Sequence, residues 1–188
     1  MLIIHNPQYG KDYKAGDIGF TCWPDSHLVS GGIAMESDRE TWDKGLVVAT
    51  HSLIVSGPDT VIEANPGGVQ ENPIAPLLTN RDVLFWVRTP KGQTHESVTA
   101  MLDEARRLVG SSYDYGGLAG FLFSSRDGVD GRPNPWQDDD KWFCSEMSAH
   151  CLRMSAPLRS VPLSDEALNW PQGFVSPDRL DDWPIWEG

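Results

Sequence analysis

Short apolar runs in the first half of the chain predict a set of β-strands. Residues 16–20 (GDIGF) indicate a short strand, and residues 45–55 (GLVVATHSLIV) are apolar and β-branched, which is typical of a buried strand. Residues 56–60 (SGPDT) have the composition of a turn, so residues 61–64 are expected to return as the second strand of a hairpin. Residues 82–88 (DVLFWVR) predict one further strand.

Other stretches lack a clear period and are predicted to be irregular. They are the Gly-rich and then acidic residues 28–43, the Pro/Gly-rich NPGGV and ENPIAP at 65–76, and the polar residues 126–140. The C-terminal stretch is rich in Pro and Trp, and we expect it to be irregular chain packed on the surface.

Two helices are predicted in the second half of the chain. In residues 94–109, apolar side chains recur at steps of three and four, which makes one apolar stripe, with Thr94 to cap its start and Gly110 its end. A second helix is expected to begin near Cys144 and to stop before Pro157. Strands and helices do not alternate as βαβ units, so the pattern favours an α+β fold.

Length and charge narrow the class of protein. The chain has 188 residues, which favours a single domain over residues 1–188. Fifteen Lys and Arg against 27 Asp and Glu give a net charge of −12, which argues against nucleic acid as a partner. No segment approaches the roughly 18 apolar residues of a membrane span, and the N-terminus lacks the features of a signal peptide. A cytoplasmic or phage-associated location is therefore expected; the oligomeric state is left open.

The three cysteines are the first candidates for chemistry. Cys22, Cys144 and Cys151 cannot all pair within one chain, so they indicate free thiols, or one reactive thiol and two structural ones. Cys144 is predicted at the first turn of a helix, where free N–H groups and the helix dipole stabilise a thiolate. The alternative is that Cys144 is a small buried apolar residue.

A nucleophilic thiol needs a base, and the predicted strands offer one. His51 lies in an otherwise apolar or small-residue strand, and Glu63 lies across the predicted hairpin, where a carboxylate could orient the imidazole. In the simplest hairpin Glu63 pairs with Ile54 and points to the face opposite His51. A register offset by one residue puts it opposite Leu53, on the His51 face, and the sequence leaves both registers open.

Three segments together resemble the NlpC-type cell-wall peptidases. They are THSLIVSGPDTVIEANPGGV at 50–69, GSSYDYGG at 110–117 and FCSEM at 143–147; GDIGF and SPDRL (176–180) resemble the edges of the same superfamily. The His segment precedes the Cys segment, which resembles the circularly permuted, YiiX/YaeF-like branch of papain-like amidases. The resemblance implies a circularly permuted papain-like fold, in which an antiparallel sheet packs against a helix that carries the nucleophilic cysteine.

The resemblance also implies roles for four residues. Cys144 matches the nucleophile, His51 the base and Glu63 the orienting polar residue, while Tyr113 matches a tyrosine whose hydroxyl lies near the nucleophile. The implied activity is hydrolysis of an amide bond, in a peptidoglycan stem peptide or a small acyl-amide, with no metal and no organic cofactor. A thiol acyltransferase or lipase acting on lipid, and a non-catalytic binding or structural module on the same fold, are the alternatives.

The acidic run Asp138–Asp140 departs from the related pattern. Three carboxylates next to a thiolate would raise its pKa, but we expect them to form a solvated acidic N-cap. A zinc site built from His150, Cys151, Cys144 and His51 is disfavoured, because the spacing typical of such sites is missing.

Overall fold

The protein is described by a computed structural model that covers residues 7–22, 47–123, 138, 140–169 and 175–187. These residues form an α+β fold built on a five-stranded antiparallel sheet with the strand order β4-β3-β2-β1-β5. The strands are β1 (Ile18–Cys22), β2 (His51–Val55), β3 (Thr60–Asn65), β4 (Gly68–Pro73) and β5 (Leu84–Arg88). The expected loop at 28–43 and nearly all of the loop at 126–140 lie outside the described residues.

Six α-helices, a short 3₁₀ helix (Ala156–Leu158) and a second, two-stranded sheet complete the described part of the chain. The helices are α1 (Ala75–Thr79), α2 (His95–Leu108), α3 (Tyr115–Phe123), α4 (Cys144–Met154), α5 (Asp165–Asn169) and α6 (Pro177–Asp181). The short strands β6 (Ser112–Tyr113) and β7 (Lys141–Trp142) pair in parallel just before α4. Within the described ranges, none of the helices combines the length and the apolar character needed to cross a bilayer.

The predicted hairpin is present, and its register is now defined. Ile54 pairs with Ile62 and Val55 with Val61, and the intervening turn closes through hydrogen bonds to the Thr60 carbonyl. The strand predicted at 45–55 is shorter than expected and begins at His51.

The prediction of an irregular loop at 65–76 is wrong. The chain turns at Pro66 and Gly67 and returns as β4, which pairs with β3 along its whole length. The Asn65 side chain accepts a hydrogen bond from the Gly67 N–H at 2.8 Å, and Gly68 has φ +96°, a conformation that favours glycine. A side chain at Gly68 would also collide with the Ser111 carbonyl. Pro and Gly here mark a tight turn and an edge strand rather than a loop.

Helix α2 matches its prediction closely. The Thr94 hydroxyl accepts from the Ser97 N–H at 3.1 Å, and the Ser97 hydroxyl accepts from the Thr94 N–H at 2.8 Å, so the helix starts with a reciprocal cap. Its apolar stripe is buried, and Gly110 follows the helix at φ +93°.

Helix α4 packs on one face of the sheet, as expected for the second predicted helix. Met147 and Leu152 share a core with Ile54 and Ile62 from the central strands. The opposite face of the sheet has its own smaller core, which includes Leu53, Val55 and Val61. Strands β2 and β3 therefore point alternate residues into two different cores.

The C-terminal stretch is not the irregular surface chain that the composition suggested. It contains α5 and α6, and Leu180, Trp183 and Ile185 are buried in the same core as α4. Large apolar side chains become buried where they can pack against an apolar surface, even if the sequence shows no helical or strand period.

Candidate functional site

His51 and Glu63 lie on neighbouring strands and contact each other directly. The Ile54–Ile62 pairing, continued by one residue, puts Glu63 opposite Leu53, on the strand face that carries His51. The imidazole Nε2 and the carboxylate Oε2 are 2.6 Å apart. Of the two registers that the sequence left open, the one that joins these side chains is the one observed.

The carboxylate of Glu63 is held by more than the imidazole. The side-chain amide of Asn72, on β4, donates a hydrogen bond to Oε1 at 2.9 Å, and Asn65 also interacts with the carboxylate. Burial alone raises the pKa of Glu63. The hydrogen bond and charge of His51 lower it overall, together with the hydrogen bonds of the Asn72 and Asn65 amides. Glu63 is therefore a fixed, ionised partner for the imidazole.

Cys144 occupies the first turn of α4, as the sequence predicted. The preceding residue, Phe143, is the N-cap. Its backbone N–H donates a hydrogen bond to the Glu146 carboxylate at 3.4 Å. The pKa of the Cys144 thiol responds to the His51 imidazole and to the backbone N–H groups of Ser52 and Ser145. Burial raises the pKa of the Cys144 thiol, but His51 and these two donors lower it overall.

His51 thus lies between a thiol and a carboxylate. Burial alone lowers the pKa of His51, but the charges and hydrogen bonds of Cys144 and Glu63 raise it well above its usual range. Because Nε2 is taken by Glu63, Nδ1 is the ring nitrogen left to serve Cys144. The arrangement favours an imidazolium paired with a thiolate.

The other two cysteines differ from Cys144 in their electrostatics. Cys22 and Cys151 are also buried, and burial raises the pKa of both thiols. Neither has an imidazole among the groups that shift its pKa. Only the thiol of Cys144 has a lowered pKa, which fits one reactive thiol and two structural ones.

Tyr113 lies close to the same thiol. It ends β6 and pairs with Trp142, two residues before Cys144. Burial raises the pKa of Tyr113, and the charge of Cys144 raises it further. The raised pKa keeps the phenol protonated, so its hydroxyl can donate a hydrogen bond.

A cleft opens beside Tyr113. Its volume is about 440 Å³, and it is bordered by Pro66 and Gly67 of the β3–β4 turn, by Asp114 and Tyr115, and by Lys141. The ring of Tyr115 contacts the ring of Tyr113 edge-on at 4.9 Å, and its hydroxyl donates to the Pro66 carbonyl at 2.9 Å. This volume is in the range of small-molecule sites, but Cys144, His51 and Glu63 are not among the residues that line the cleft.

The acidic run before α4 is not the N-cap that the sequence suggested. The cap is Phe143, and the Asp138 carboxylate instead forms an ion pair with Lys141 at 2.7 Å. Because Lys141 partly neutralises Asp138, this carboxylate opposes the thiolate less than its charge alone implies.

The zinc alternative finds no support in the described residues. His150 contacts the Glu104 carboxylate on α2 at 2.7 Å rather than Cys144 or His51. Across the described part of the chain, no group of three or more His, Cys, Asp or Glu could hold a metal ion.

Sequence reasoning missed three polar residues around the site. Asn72 falls in a stretch that the sequence predicts as a loop, and the sequence gives no role to Ser52 and Ser148, whose hydroxyls are both fully buried. A serine within an otherwise apolar strand is the signal that could have pointed to Ser52.

Comparisons with known proteins add no relative to this picture. No protein-family model matches the chain, and no curated protein is significantly similar to it.

Proposed function

We propose that this protein is a cysteine hydrolase that cleaves an amide bond through a thioester intermediate. The observation that carries the proposal is the position of His51, which contacts the Glu63 carboxylate at 2.6 Å and interacts with the Cys144 thiol. A thiol, an imidazole and a carboxylate in this sequence of contacts form the minimum set for nucleophilic acyl transfer.

In the first half-reaction, the Cys144 thiolate attacks the carbonyl carbon of the substrate and forms a new C–S bond. The proton held by His51 passes to the leaving nitrogen as the C–N bond breaks, so an amine departs and a thioester remains. Glu63 stabilises the imidazolium and keeps the ring in the orientation that serves Cys144.

The carbonyl oxygen gains negative charge during this attack and needs donors. The backbone N–H of Cys144 is one of the free N–H groups at the start of α4, and the Tyr113 phenol is a second donor. Both groups are held before the substrate arrives, which is the condition for effective stabilisation of the oxyanion.

In the second half-reaction, neutral His51 takes a proton from water, and the hydroxyl attacks the thioester carbon. The C–S bond breaks, the carboxylic acid leaves, and the thiolate–imidazolium pair is restored. Each step uses the same three side chains, so no metal or organic cofactor is required.

The fold is proposed to be the circularly permuted papain-like type. The support is an antiparallel sheet packed against the helix that begins at Cys144, together with the order of the motifs, in which His51 precedes Cys144. A triad is defined by geometry rather than chain order, so permutation leaves the chemistry possible. The proposed substrates are a peptidoglycan stem peptide or a small acyl-amide.

A non-catalytic module on the same fold is the second candidate. The observation that favours it is the low exposure of Cys144, only 3 % of which is accessible. An inert buried thiol would have a raised pKa and would react slowly with any alkylating agent.

Thiol labelling at neutral pH separates the two candidates. The folded protein is treated with iodoacetamide, and the alkylation of each cysteine is followed by peptide mapping. Cys22 and Cys151 are matched controls inside the same molecule. Faster labelling at Cys144 supports the hydrolase, and a panel of stem peptides and acyl-amides, with Cys144→Ala as the blank, then tests amide cleavage. Equal and slow labelling of all three thiols contradicts the proposal.

A further inference from the structure

Two buried serine hydroxyls connect strand β2 to the start of helix α4. The hydroxyl of Ser52 donates to the hydroxyl of Ser148 at 3.1 Å, and the hydroxyl of Ser148 donates to the backbone carbonyl of Cys144 at 3.0 Å. Both serine side chains are completely inaccessible to solvent. The two hydrogen bonds run in one direction and end on the residue that carries the thiol.

Ser52 places a hydroxyl within a buried strand. Ser52 lies between His51 and Leu53, and alternation along β2 points its side chain, like that of Ile54, toward α4. An apolar residue at this position would pack against the helix without the desolvation cost of a hydroxyl, which is about 1–3 kcal/mol when no partner is found. Ser148 is the partner of this hydroxyl, and the hydroxyl of Ser148 in turn donates to the Cys144 carbonyl.

The carbonyl that receives the second hydrogen bond belongs to the peptide unit that joins Cys144 to Ser145. The same peptide plane carries the Ser145 N–H, which is one of the groups that lower the pKa of the Cys144 thiol. A hydrogen bond to the carbonyl of an amide polarises its N–H, because hydrogen bonds in a chain strengthen one another in a low-dielectric interior. The two serines thus act on the Ser145 N–H through the Cys144 carbonyl, at the other end of the same peptide unit.

We infer that Ser52 and Ser148 form a hydroxyl relay that positions Cys144 relative to His51 and strengthens the Ser145 N–H as a donor to the thiolate. The inference rests on the proposed function, in which Cys144 is the nucleophile. Both serines are positioning residues, because their hydroxyls act through the Cys144 carbonyl. The dipeptide His51–Ser52 then serves the thiol twice, through the imidazole and through the relay.

The test is the pH profile of Cys144 alkylation, which needs no substrate. Iodoacetamide labelling with peptide mapping is measured from pH 4 to pH 10 for the wild type, Ser52→Ala, Ser148→Ala and the double variant. Ser155→Ala is the matched control, because Ser155 is also buried, at the C-cap of the same helix, and donates to a helix carbonyl, that of Leu152, at 2.6 Å. Circular dichroism identifies the variants that fold.

The relay predicts an upward shift of the Cys144 midpoint in each single variant, by roughly half to one pH unit, the worth of one hydrogen bond. The double variant should shift no further than Ser148→Ala, because Ser52 acts through Ser148, and Ser155→Ala should keep the wild-type midpoint. Wild-type midpoints in both single variants overturn the relay, as does an equal shift in Ser155→Ala. If Ser148→Ala fails to fold, Ser52→Ala decides by the same criterion.

The same data separate failure of the relay from failure of the proposed function. If the wild-type Cys144 midpoint is no lower than those of Cys22 and Cys151, the thiol is not activated and the hydrolase proposal fails. If the wild-type midpoint is low and the serine variants keep it, only the relay fails.

Discussion

The His51 imidazole and the Glu63 carboxylate contact each other at 2.6 Å across two antiparallel strands, although twelve positions separate the residues in the chain. The contact depends on the five residues between Val55 and Val61, because this loop sets a register in which the two side chains share one face. A loop that shifted the pairing by one residue would turn Glu63 to the opposite face of the sheet.

Glu63→Gln should lower the rate of amide hydrolysis by roughly 10²–10⁴-fold while the protein stays folded. The amide keeps the size of the carboxylate but cannot stabilise the imidazolium by charge. Loss of Cys144 should cost more, because Glu63 takes no part in bond making. Steady-state kinetics on the best amide of the substrate panel check this, with circular dichroism as the folding control. A Glu63→Gln enzyme with the wild-type rate would remove Glu63 from the mechanism.

His51→Ala should raise the thiol pKa of Cys144. In the wild type His51 lowers that pKa, so the thiolate persists at a pH where an ordinary thiol is protonated. Without the imidazole, burial dominates and raises the pKa, so alkylation near pH 6.5 should fall by at least about tenfold and recover in alkali. His150→Ala is the matched control, since that imidazole contacts Glu104 instead. An unchanged Cys144 profile in His51→Ala would contradict the pairing.

Cys144→Ala should abolish hydrolysis, whereas Cys151→Ala should retain it. The two thiols lie on the same helix and both are buried, but only the pKa of Cys144 is lowered, and burial raises the pKa of Cys151. Cys151→Ala removes a sulfur from the core and should cost about 1 kcal/mol of unfolding free energy, seen in urea titrations. Equal loss of activity in both variants would mean that the nucleophile is misassigned.

The elements that were predictable from the sequence are those in which a local signal is strong. Helix α2 has both a 3.6-residue apolar period and a capping residue, Thr94, and α4 begins at Cys144 as expected. Strand β4 was missed because its residues are mostly polar or Pro, and its pairing with β3 comes from the turn at Gly67 and Gly68 rather than from local propensity.

The candidate site was predictable in its residues but not in its geometry. Cys144 and His51 follow from the helix start and the strand position, together with the family resemblance. The contact to Glu63 depends on a one-residue choice of register that composition does not encode. The roles of Asn72 and Ser148 depend on which elements pack together, so only the folded chain reveals them.

Tyr113→Phe should lower kcat by about 10²–10³-fold if the phenol stabilises the oxyanion. The ring and its packing against Tyr115 remain, so the change removes a single hydrogen-bond donor. Tyr115→Phe is the matched control, because its hydroxyl is committed to the Pro66 carbonyl, and it should change kcat only a few-fold. A Tyr113→Phe variant with the same kcat as Tyr115→Phe would exclude the phenol from the oxyanion site.

The last prediction concerns the ion-pair cluster that joins α2 to α4. The Glu104 carboxylate accepts hydrogen bonds from Arg107, at 2.6 and 2.8 Å, and contacts His150 on α4 at 2.7 Å. These partners, Arg107 first, lower the pKa of Glu104 to about 2, against the opposing effect of burial. A carboxyl group whose pKa is lower in the folded state stabilises the fold above its unfolded pKa, and this stability is lost as the pH falls toward 2.

Glu104→Gln should therefore destabilise the protein at pH 7 and have less effect at pH 3. We expect a loss of about 1 kcal/mol at pH 7, because Arg107 is exposed and solvent screens its charge. Urea unfolding of wild type and variant at both pH values measures the difference. Asp103→Asn removes a charge from the exposed surface of the same helix and should leave the stability unchanged at either pH. A Glu104→Gln deficit that stayed the same from pH 7 to pH 3 would show that the amide disturbs packing and that the charge of Glu104 does not hold the two helices together.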